Sequence, residues 1–477
     1  MIHKSFILLI TLQFLVITSC AQSADKITLK PSVDSYGVDH KHKIIVWNYQ
    51  LDKENDVTEN EVQVDFKNIG VFTIPALSYS SPIQQNDYTL YLTAFPIINI
   101  KANDSIVDEP KKAAKLTYYD HKNTIQSTIG IELRGNISQT FPKKTYDIEF
   151  WEDEKGLNNK DVKFKDLRSD DDWILDGIYN EPLRLRSFIA SKLWLSIHKP
   201  FYKNQKQKAK SGIDLFYVEV FINQAYKGIF TFSEQVDENL LKLKDPENET
   251  INGVLYKASG YEGATMFEKL PDFENIFPHW GGYEMEFPVI EYKYHWDDLY
   301  AFTDFVLNAS TKDFKNDIDK KINLENTIDY YLLMNLLRAT DNLGKNYYIA
   351  QYDKNTPYFL VPWDLDGVLG TIIDGRHIPT TDDILSNGLF DRLIKDNPKN
   401  YRDRLKTRWQ NLRKKEFDGN NILAKIDKWY ERFDKQKVYE REEILWKPEI
   451  SREEQLKYLK QWLEKRLIFL DNHFKNL

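Results

Sequence analysis

Short apolar segments alternate with polar turns in the first part of the chain, the pattern of β-strands joined by short connections. Between residue 27 and about residue 94 these segments are KIIVWNY, EVQVDF, GVFTIPAL and YTLYLTAF. No cluster of side chains suited to catalysis occurs among them. We therefore predict a small all-β module over residues 27–94 that serves as a spacer or docking module.

Beyond this module, strand patterns and helix patterns are mixed. The segments STIGIELRGNISQTFPKKTYDIEFW, with a turn at Gly135 and Asn136, and LFYVEVFINQAYKGIFTFSEQVD indicate two hairpins. In ENTIDYYLLMNLLRATDN the apolar residues recur at steps of three and four, which predicts a helix over 325–340. Two more strands, NYYIAQYD and PYFLVPWDLDG, precede a charged, helical C-terminal part. We predict an α+β domain over residues 95–477 with a helical C-terminal region.

Composition narrows the class of protein. The 477 residues include 73 acidic and 65 basic side chains, a net charge of −8, and the two signs are well mixed. A protein whose main partner is nucleic acid is expected to carry a basic stripe, so we predict no nucleic-acid partner. The mean hydropathy of −0.56 and the lack of a later apolar run of about 18 residues exclude a polytopic membrane protein.

The N-terminal sequence MIHKSFILLITLQFLVITSC has the layout of a secretory signal, with a cationic start and a short apolar segment. Its ending, ITSC, resembles a bacterial lipoprotein signal that is cut before Cys20, whose thiol then receives a diacylglycerol. We predict a lipoprotein signal peptide over 1–19, a tether over 20–26, and a lipid anchor that holds the mature chain at an envelope membrane. A chance cysteine is the alternative. Cys20 is the only cysteine, which excludes disulfides, thiolate catalysis and Cys-rich zinc sites.

Two aspartates, Asp364 and Asp366, stand one residue apart in FLVPWDLDGVLG, which otherwise has the pattern of a buried strand. Buried carboxylates are rare unless a cation or a metal faces them. Strand alternation predicts that both lie on one face, and the predicted helix would bring Asp341 and then Asn346 toward them. Carboxylate and amide oxygens suit Mg²⁺ or Mn²⁺ better than zinc. These four residues are therefore candidates for a divalent-metal site.

The WDLD carboxylates also fit roles that need no metal. WDLD alone is equally compatible with a solvent-facing pair at a strand end. A glycosidase would use Asp364 or Asp366 as acid or base across a sugar groove, with carboxyl groups about 5 to 9.5 Å apart. A phosphotransferase accounts for more of the sequence, because Asp341 and Asn346 have the spacing of the kinase catalytic loop and DLDG follows two strands later. In that chemistry one Asp orients the acceptor hydroxyl, and an Asn and a second Asp hold the metal that neutralises the ATP phosphates.

Four segments in order resemble the spore-coat-protein-H (CotH) kinase family: IELRGNISQTFPKKTYDIEF, YVEVFINQAYKGIFTFSEQVD, LLRATDNLGKNYYIAQYD and YFLVPWDLDGVLG. The resemblance extends over residues 95–477 and implies an atypical protein-kinase-like fold of two lobes with ATP between them. It also implies phosphorylation of protein hydroxyl groups, with Asp341 as the catalytic-loop aspartate. Asn346 and Asp364 then correspond to metal ligands, and Asp366 supports Asp364. The His-Arg pair that precedes the kinase aspartate is replaced here by Arg-Ala-Thr.

Several basic residues are candidates for nucleotide contacts. Lys144 shares the parity of the apolar residues that follow it, so it is predicted to face the interior and hold a phosphate, or else to be a snorkelling edge lysine. Arg134 lies at the same turn and is a second phosphate candidate. Glu234 is predicted either to pair with such a lysine or to be a plain helix-start glutamate. Lys257, in VLYKAS, is the rival nucleotide lysine.

Tyr256 and Tyr358 are candidates for stacking on adenine, although most tyrosines in such a chain pack in the core. The favoured interpretation is a phosphotransferase that uses ATP with Mg²⁺ or Mn²⁺ and modifies serine or threonine hydroxyls of an unidentified protein at the cell envelope. The alternative is a non-catalytic surface or structural lipoprotein that keeps the fold for binding.

Overall fold

The computed structural model describes residues 28–51, 61–248, 250–290 and 294–477. Strands and helices are mixed throughout this part of the chain, so the predicted α+β class is confirmed. The predicted signal peptide and the whole predicted tether, with Cys20, lie outside the described residues.

The first part of the described chain, up to residue 93, contributes strands to two small sheets. The strands are β1 (Thr28–Leu29), β2 (Tyr36–Asp39), β3 (Ile44–Asn48), β4 (Val62–Phe66), β5 (Gly70–Ile74), β6 (Ile83–Gln85) and β7 (Tyr88–Thr93). One sheet has the order β1-β4-β5 and the other β2-β3-β7-β6. The second sheet packs on the next part of the chain, because Val46 and Tyr91 form one apolar cluster with Phe221 and Tyr226.

A closed barrel follows, with the strand order β10-β11-β14-β16-β15-β8-β9. Its strands are β8 (Ile97–Ala102), β9 (Lys112–Asp120), β10 (Asn123–Leu133), β11 (Tyr146–Trp151), β14 (Asp172–Asp176), β15 (Leu215–Ile222) and β16 (Ala225–Ser233), and a separate pair is β12 (Val162–Lys163) with β13 (Ser169–Asp170). Alternate residues fill the interior, for example Ile129 and Ile131 opposite Phe150 and Ile148. Both predicted hairpins, β10–β11 and β15–β16, are present as antiparallel pairs in this barrel.

A five-stranded sheet has the order β18-β19-β17-β20-β21. Its strands are β17 (Val254–Ala258), β18 (His279–Trp280), β19 (Tyr283–Phe287), β20 (Tyr347–Gln351) and β21 (Tyr358–Pro362). The last two are the strands predicted from NYYIAQYD and PYFLVPWDLDG, and they pair in antiparallel register from Tyr347 with Pro362 to Gln351 with Tyr358.

The helices surround one central helix, α5 (Leu324–Leu337). In chain order they are α1 (Arg186–Ile197), α2 (Glu238–Leu241), α3 (Asp297–Asn308), α4 (Thr311–Lys321), α5 (Leu324–Leu337), α6 (Gly388–Asp396), α7 (Tyr401–Arg413), α8 (Gly419–Lys435), α9 (Val438–Leu445) and α10 (Arg452–Lys475). Helices α1, α7 and α10 and strand β21 all contact α5, which is why its side chains are buried nearly all round. None of the helices in the described ranges combines the length and apolar character needed to cross a bilayer.

Helix α5 is shorter than the predicted helix 325–340. It ends at Leu337, because Arg338 adopts the left-handed conformation and its N–H returns to the carbonyls of Met334 and Asn335. Asp341 therefore does not stand at the helix end. It begins a separate 3₁₀ turn, Asp341–Leu343, after a short connection.

Candidate functional site

One cavity of about 520 Å³ lies where residues of the barrel, the five-stranded sheet and the loop after α5 meet. Four predicted residues line it together, namely Asp341, Asn346, Asp364 and Asp366. The predicted phosphate contacts Arg134 and Lys257 also line it. The predicted segments therefore meet at one place, although the local geometry differs from the expectation at several points.

The two WDLD carboxylates reach the cavity from an irregular segment. Strand β21 ends at Pro362, and Asp364 has a left-handed φ of 53°, so strand alternation does not explain their shared direction. Gly367 turns the chain with a φ of 54°, and a Cβ there would lie 2.6 Å from the backbone nitrogen of Ile373. The segment buries Trp363 and Leu365 and leaves Asp364 exposed to the cavity and Asp366 partly exposed.

The loop of Asp341 is closed by its own backbone. The N–H groups of Gly344 and Lys345 donate to the carbonyl of Asp341, at 3.3 and 2.9 Å. Asn346 has a left-handed φ of 55°, and its N–H donates to the carbonyl of Ala258 in β17 at 2.9 Å. These bonds fix the loop to the five-stranded sheet at the edge of the cavity.

A buried side chain, Asn342, joins this loop to the WDLD segment. Its Nδ2 donates to the carbonyl of Asn346 at 2.7 Å and to the carbonyl of Trp363 at 2.6 Å. The N–H of Trp363 in turn donates to the carbonyl of Asn346 at 3.1 Å, and the hydroxyl of Tyr330 in α5 donates to the carbonyl of Asn342 at 2.5 Å. The Asn342 amide and the backbone bond from Trp363 to Asn346 thus hold the loop of Asp341 beside the segment of Asp364.

Burial and neighbouring carboxylates raise the pKa values of two aspartates in the cavity, Asp364 and Asp366. Burial is the main reason why the pKa of Asp364 is raised, and Asp176 and Asp341 raise it further against the opposing effect of Arg134. The pKa of Asp366 is raised well above its usual value, first by burial and then by the charge of Asp364. Asp364 is open to the cavity, but protein surrounds that cavity, so its charge is poorly solvated.

The structure adds two polar residues that sequence reasoning missed, Asp176 and Asn180. Asp176 lies at the end of β14, and its Oδ1 accepts hydrogen bonds of 3.0 Å from Thr145 Oγ1 and from the N–H of Ile178. Asn180 Nδ2 donates to Asp366 Oδ2 at 3.0 Å and to the carbonyl of Ile373 at 2.7 Å. The signal was present in the sequence, since DGIYN follows the apolar strand residues WIL.

Of the two neighbouring lysines, Lys143 lines the cavity and the predicted Lys144 does not. Lys143 is buried, and its Nζ lies 2.8 Å from Glu442 Oε1 in α9, whereas Lys144 Nζ donates to the carbonyl of Gln139 at 2.6 Å. The parity argument failed because β11 begins only at Tyr146, so alternation does not extend back to either lysine.

The ion pair of Lys143 and Glu442 is held inside the protein. Arg184 Nη2 lies 2.9 Å from the second carboxylate oxygen of Glu442. Burial lowers the pKa of Lys143 to about 7, against the opposing charge of Glu442. Burial acts to raise the pKa of Glu442, but Lys143 and Arg184 outweigh it and lower that pKa to about 2.

The predicted pairing of Glu234 with a nucleotide lysine is wrong. Glu234 is fully buried, and its Oε1 accepts from Lys210 Nζ at 2.6 Å and from the N–H of Arg168 at 2.9 Å. Its Oε2 accepts from the N–H of Asp214 at 2.9 Å. Both oxygens are thus used in a structural network that does not include Lys144.

The predicted adenine-stacking tyrosines also lie elsewhere. Tyr256 is fully buried in the core, stacks on Trp296 and donates its hydroxyl to the carbonyl of His295 at 2.7 Å. Tyr358 is buried as well and packs against Phe302. Neither ring is among the residues that line the cavity, because both side chains point to the helix-covered face of the five-stranded sheet.

Arg134 and Lys257 remain available to a ligand. The Arg134 guanidinium lies 5.1 Å from the centre of the Trp363 ring and 3.7 Å from Asp147 Oδ2. Lys257 Nζ lies 3.5 Å from Glu286 Oε1, and its side chain is partly exposed. Both cations border the carboxylates of the cavity without forming an ion pair with Asp364 or Asp366 among the described residues.

The carboxylate and amide oxygens that line the cavity are of the type that binds divalent cations. Asp364 makes no hydrogen bond or ion pair with any described residue, Asn346 contributes an amide, and a cation would offset the repulsion that raises both pKa values. Asp341, Asp364 and Asp366 form a looser group than Asp170, Asp171 and Asp172. The carboxylate oxygens of this second group lie within 4.8 Å of one another, outside the cavity. That second group is the only one of its kind in the described ranges.

A family model described as CotH kinase protein matches residues 131–470. The chain belongs to the CotH kinase family. The match confirms the resemblance and contains every cavity residue named above, although it begins later than the predicted start at residue 95. No curated protein matches the chain.

Proposed function

We propose that this CotH kinase family member is a phosphotransferase that uses ATP and a divalent metal, Mg²⁺ or Mn²⁺, to phosphorylate serine and threonine hydroxyls of proteins. The observation that carries the proposal is the convergence of Asp341, Asn346, Asp364 and Asp366 on one cavity that cationic side chains border. Phosphoryl transfer needs this combination of an acceptor-orienting base, oxygen ligands for a metal, and cations near the phosphates.

Each residue has a defined role in this proposal. Asp341 orients the acceptor hydroxyl and receives its proton. Asp364 and Asn346 would hold the metal, and Asn180 orients Asp366 beside them through its hydrogen bond to Oδ2. The bound ion would neutralise charge on the phosphates of ATP.

The nucleotide is proposed to lie between the barrel and the five-stranded sheet, which would be the two lobes of the kinase-like fold. Lys143, which precedes barrel strand β11, and Lys257, in strand β17 of the sheet, both line the cavity. The buried pair of Lys143 and Glu442 resembles in kind the lysine–glutamate pair of ordinary kinases. Arg134, beside Trp363, is the third cation available to the phosphates.

The heat of ATP binding and the transfer of phosphate to protein, measured in parallel, test the proposal. The full chain, purified in detergent, is titrated with ATP in the presence of Mn²⁺ or Mg²⁺, and incorporation of the γ-phosphate into protein is followed in parallel. Asp364→Asn should lose both signals, whereas Asp317→Asn, on the exposed surface of α4, should keep both. A wild-type protein that neither binds ATP nor transfers phosphate would overturn the proposal in favour of a non-catalytic binding lipoprotein.

A further inference from the structure

A tyrosine hydroxyl already occupies the hydrogen-bonding position of an acceptor at Asp341. Tyr261 Oη donates to Asp341 Oδ1 at 2.8 Å. The ring is 52% exposed, so the core does not hold it in this position. Among the hydrogen bonds of the described residues, this is the one made by the Asp341 carboxylate.

The backbone before Tyr261 leads out of the cavity. Ser259 lines the cavity after β17, and the N–H groups of Ser259 and Gly260 donate to the carbonyl of Gly282, at 3.0 and 3.2 Å. The segment is therefore anchored immediately before the tyrosine. This anchoring holds Tyr261 close to the cavity-lining Ser259 and beside the loop that carries Asp341.

The loop itself has room for the ring at one position only because that position is glycine. A Cβ on Gly344 would lie 2.1 Å from Met266 Sδ and 2.6 Å from Tyr261 Cδ1, closer than real Cβ atoms come to their neighbours. Gly344 has a φ of −137°, which other residues adopt readily, so its backbone conformation does not require glycine. The close contacts with Met266 and with the Tyr261 ring together account for the missing side chain.

A general base in phosphoryl transfer must lie within hydrogen-bond reach of the acceptor proton. The phenol of Tyr261 meets that condition at Asp341, the residue assigned to this role. We propose that Tyr261 is an internal acceptor and that the protein phosphorylates this tyrosine in cis. This inference rests on the proposed phosphotransferase function.

The transfer is chemically balanced. The phenol oxygen forms a bond to the γ-phosphorus of ATP, and the bond from that phosphorus to the bridging oxygen breaks, so ADP leaves with the electron pair. The phenolic proton passes to the Asp341 carboxylate. The products are phosphotyrosine at position 261, ADP and one proton, which Asp341 later releases to solvent.

Site mapping by mass spectrometry tests the inference with the full chain, Mg²⁺ or Mn²⁺, and ATP. We expect phosphate on Tyr261. The first-order rate constant of this modification should not change when the protein is diluted, since the acceptor and the base lie in one molecule. Asp341→Asn should slow the modification by roughly 10²-fold or more. Tyr430 is the matched control, because its hydroxyl also faces a carboxylate, Glu453 at 3.5 Å, but away from the cavity; it should stay unmodified.

A second measurement needs no nucleotide. With 3-fluorotyrosine at position 261, the fluorine resonance should shift on Asp341→Asn, whereas the same label at position 430 should not respond. Transfer to other hydroxyls without Tyr261 would overturn the inference and leave the proposed function standing. A rate constant that rises with protein concentration would also overturn it, and a lack of transfer to any hydroxyl would overturn both proposals.

Discussion

Lys143 and Glu442 form a fully buried ion pair, with 2.8 Å between Nζ and Oε1, although 299 residues separate them in sequence. Lys143 also donates to the carbonyl of Ile229 at 2.5 Å, and Glu442 Oε1 accepts from the N–H of Ile229 at 2.7 Å. The pair therefore connects helix α9, which carries Glu442, to barrel strand β16, which contains Ile229. Its neighbour Arg441 reinforces the same junction by pairing with the buried Glu219.

Breaking this pair from one side should be costly. Lys143→Met would leave Glu442 buried with Arg184 as its remaining cation, and we expect unfolding by urea at a pH well below 7, where Lys143 is protonated, to show a loss of at most about 3–5 kcal/mol. Adding Glu442→Gln to this variant should cost less than the same change in the wild type, because Glu442 has already lost its Lys143 partner and only its pairing with Arg184 remains to be broken. Losses that simply add in the double variant would mean that the two residues do not interact.

The carboxylates of the cavity should make metal-free stability depend on pH. The pKa values of Asp364 and Asp366 are raised in the folded chain, so their stabilising contribution is complete below the unfolded value of about 3.9 and is lost as the pH rises through the folded values. In EDTA, the melting temperature of the wild type should therefore fall more steeply above about pH 4 than that of Asp364→Asn. At pH 8 the wild type should melt below Asp364→Asn in EDTA and above it in saturating Mg²⁺. Melting temperatures of the two proteins that change in parallel with pH in EDTA would contradict the electrostatic account.

The sequence predicted the convergence of Asp341, Asn346, Asp364 and Asp366 because motif spacing and apolar strands are local properties. Even there, α5 stops at Leu337 and the two WDLD carboxylates stand outside the strand. Neither boundary depends on hydrophobic periodicity. Both depend on left-handed residues, Arg338 and Asp364, whose conformation the apolar pattern does not mark.

The partners of charged side chains could not be predicted in the same way. Lys143 pairs with Glu442 from α9 and Glu234 pairs with Lys210, and nothing local to Lys144 or Glu234 indicates either choice. Long-range pairing depends on the closure of the barrel and on the return of the C-terminal helices. Periodicity within a single strand carries no information about those events.

The proposed lipid anchor has a direct chemical test. Cys20 is the only thiol of the chain, so metabolic labelling with a fatty acid should mark the wild type and leave Cys20→Ala unlabelled. The variant should also move from the membrane fraction to the soluble envelope fraction, because the acyl chains provide the attachment. Equal labelling of the two proteins would contradict the lipoprotein interpretation.

Replacement of Asp341 should separate binding from transfer. A positioned general base acts in the transition state and contributes little to the ground-state affinity for nucleotide. We expect Asp341→Asn to keep its ATP dissociation constant within a few-fold while phosphate transfer to protein falls roughly 10²-fold or more. Transfer at the wild-type rate would mean that Asp341 does not have the catalytic-loop role.

The buried amide of Asn342 should matter for geometry as well as for stability. In Asn342→Asp, an oxygen replaces the donor that now bonds the carbonyls of Asn346 and Trp363, so two hydrogen bonds are lost and a carboxylate faces two acceptors. A buried group left this way costs about 1–3 kcal/mol, and more when it is charged. Asn335→Asp is the matched control, because the Asn335 amide also bridges backbone groups, bonding Leu385 from both its Nδ2 and its Oδ1, but away from the cavity.

Both variants should therefore unfold at lower urea concentrations, and each is assayed under conditions where it is folded. Only Asn342→Asp should then weaken metal-dependent ATP binding and slow transfer, by roughly tenfold or more, since its backbone bonds join the loop of Asp341 and Asn346 to the segment of Asp364. A displacement of about 1 Å between such groups is enough for losses up to about 10²-fold. If the folded Asn342 and Asn335 variants bind and transfer alike, the amide is a stabilising contact only, and the alignment of the two segments has another origin.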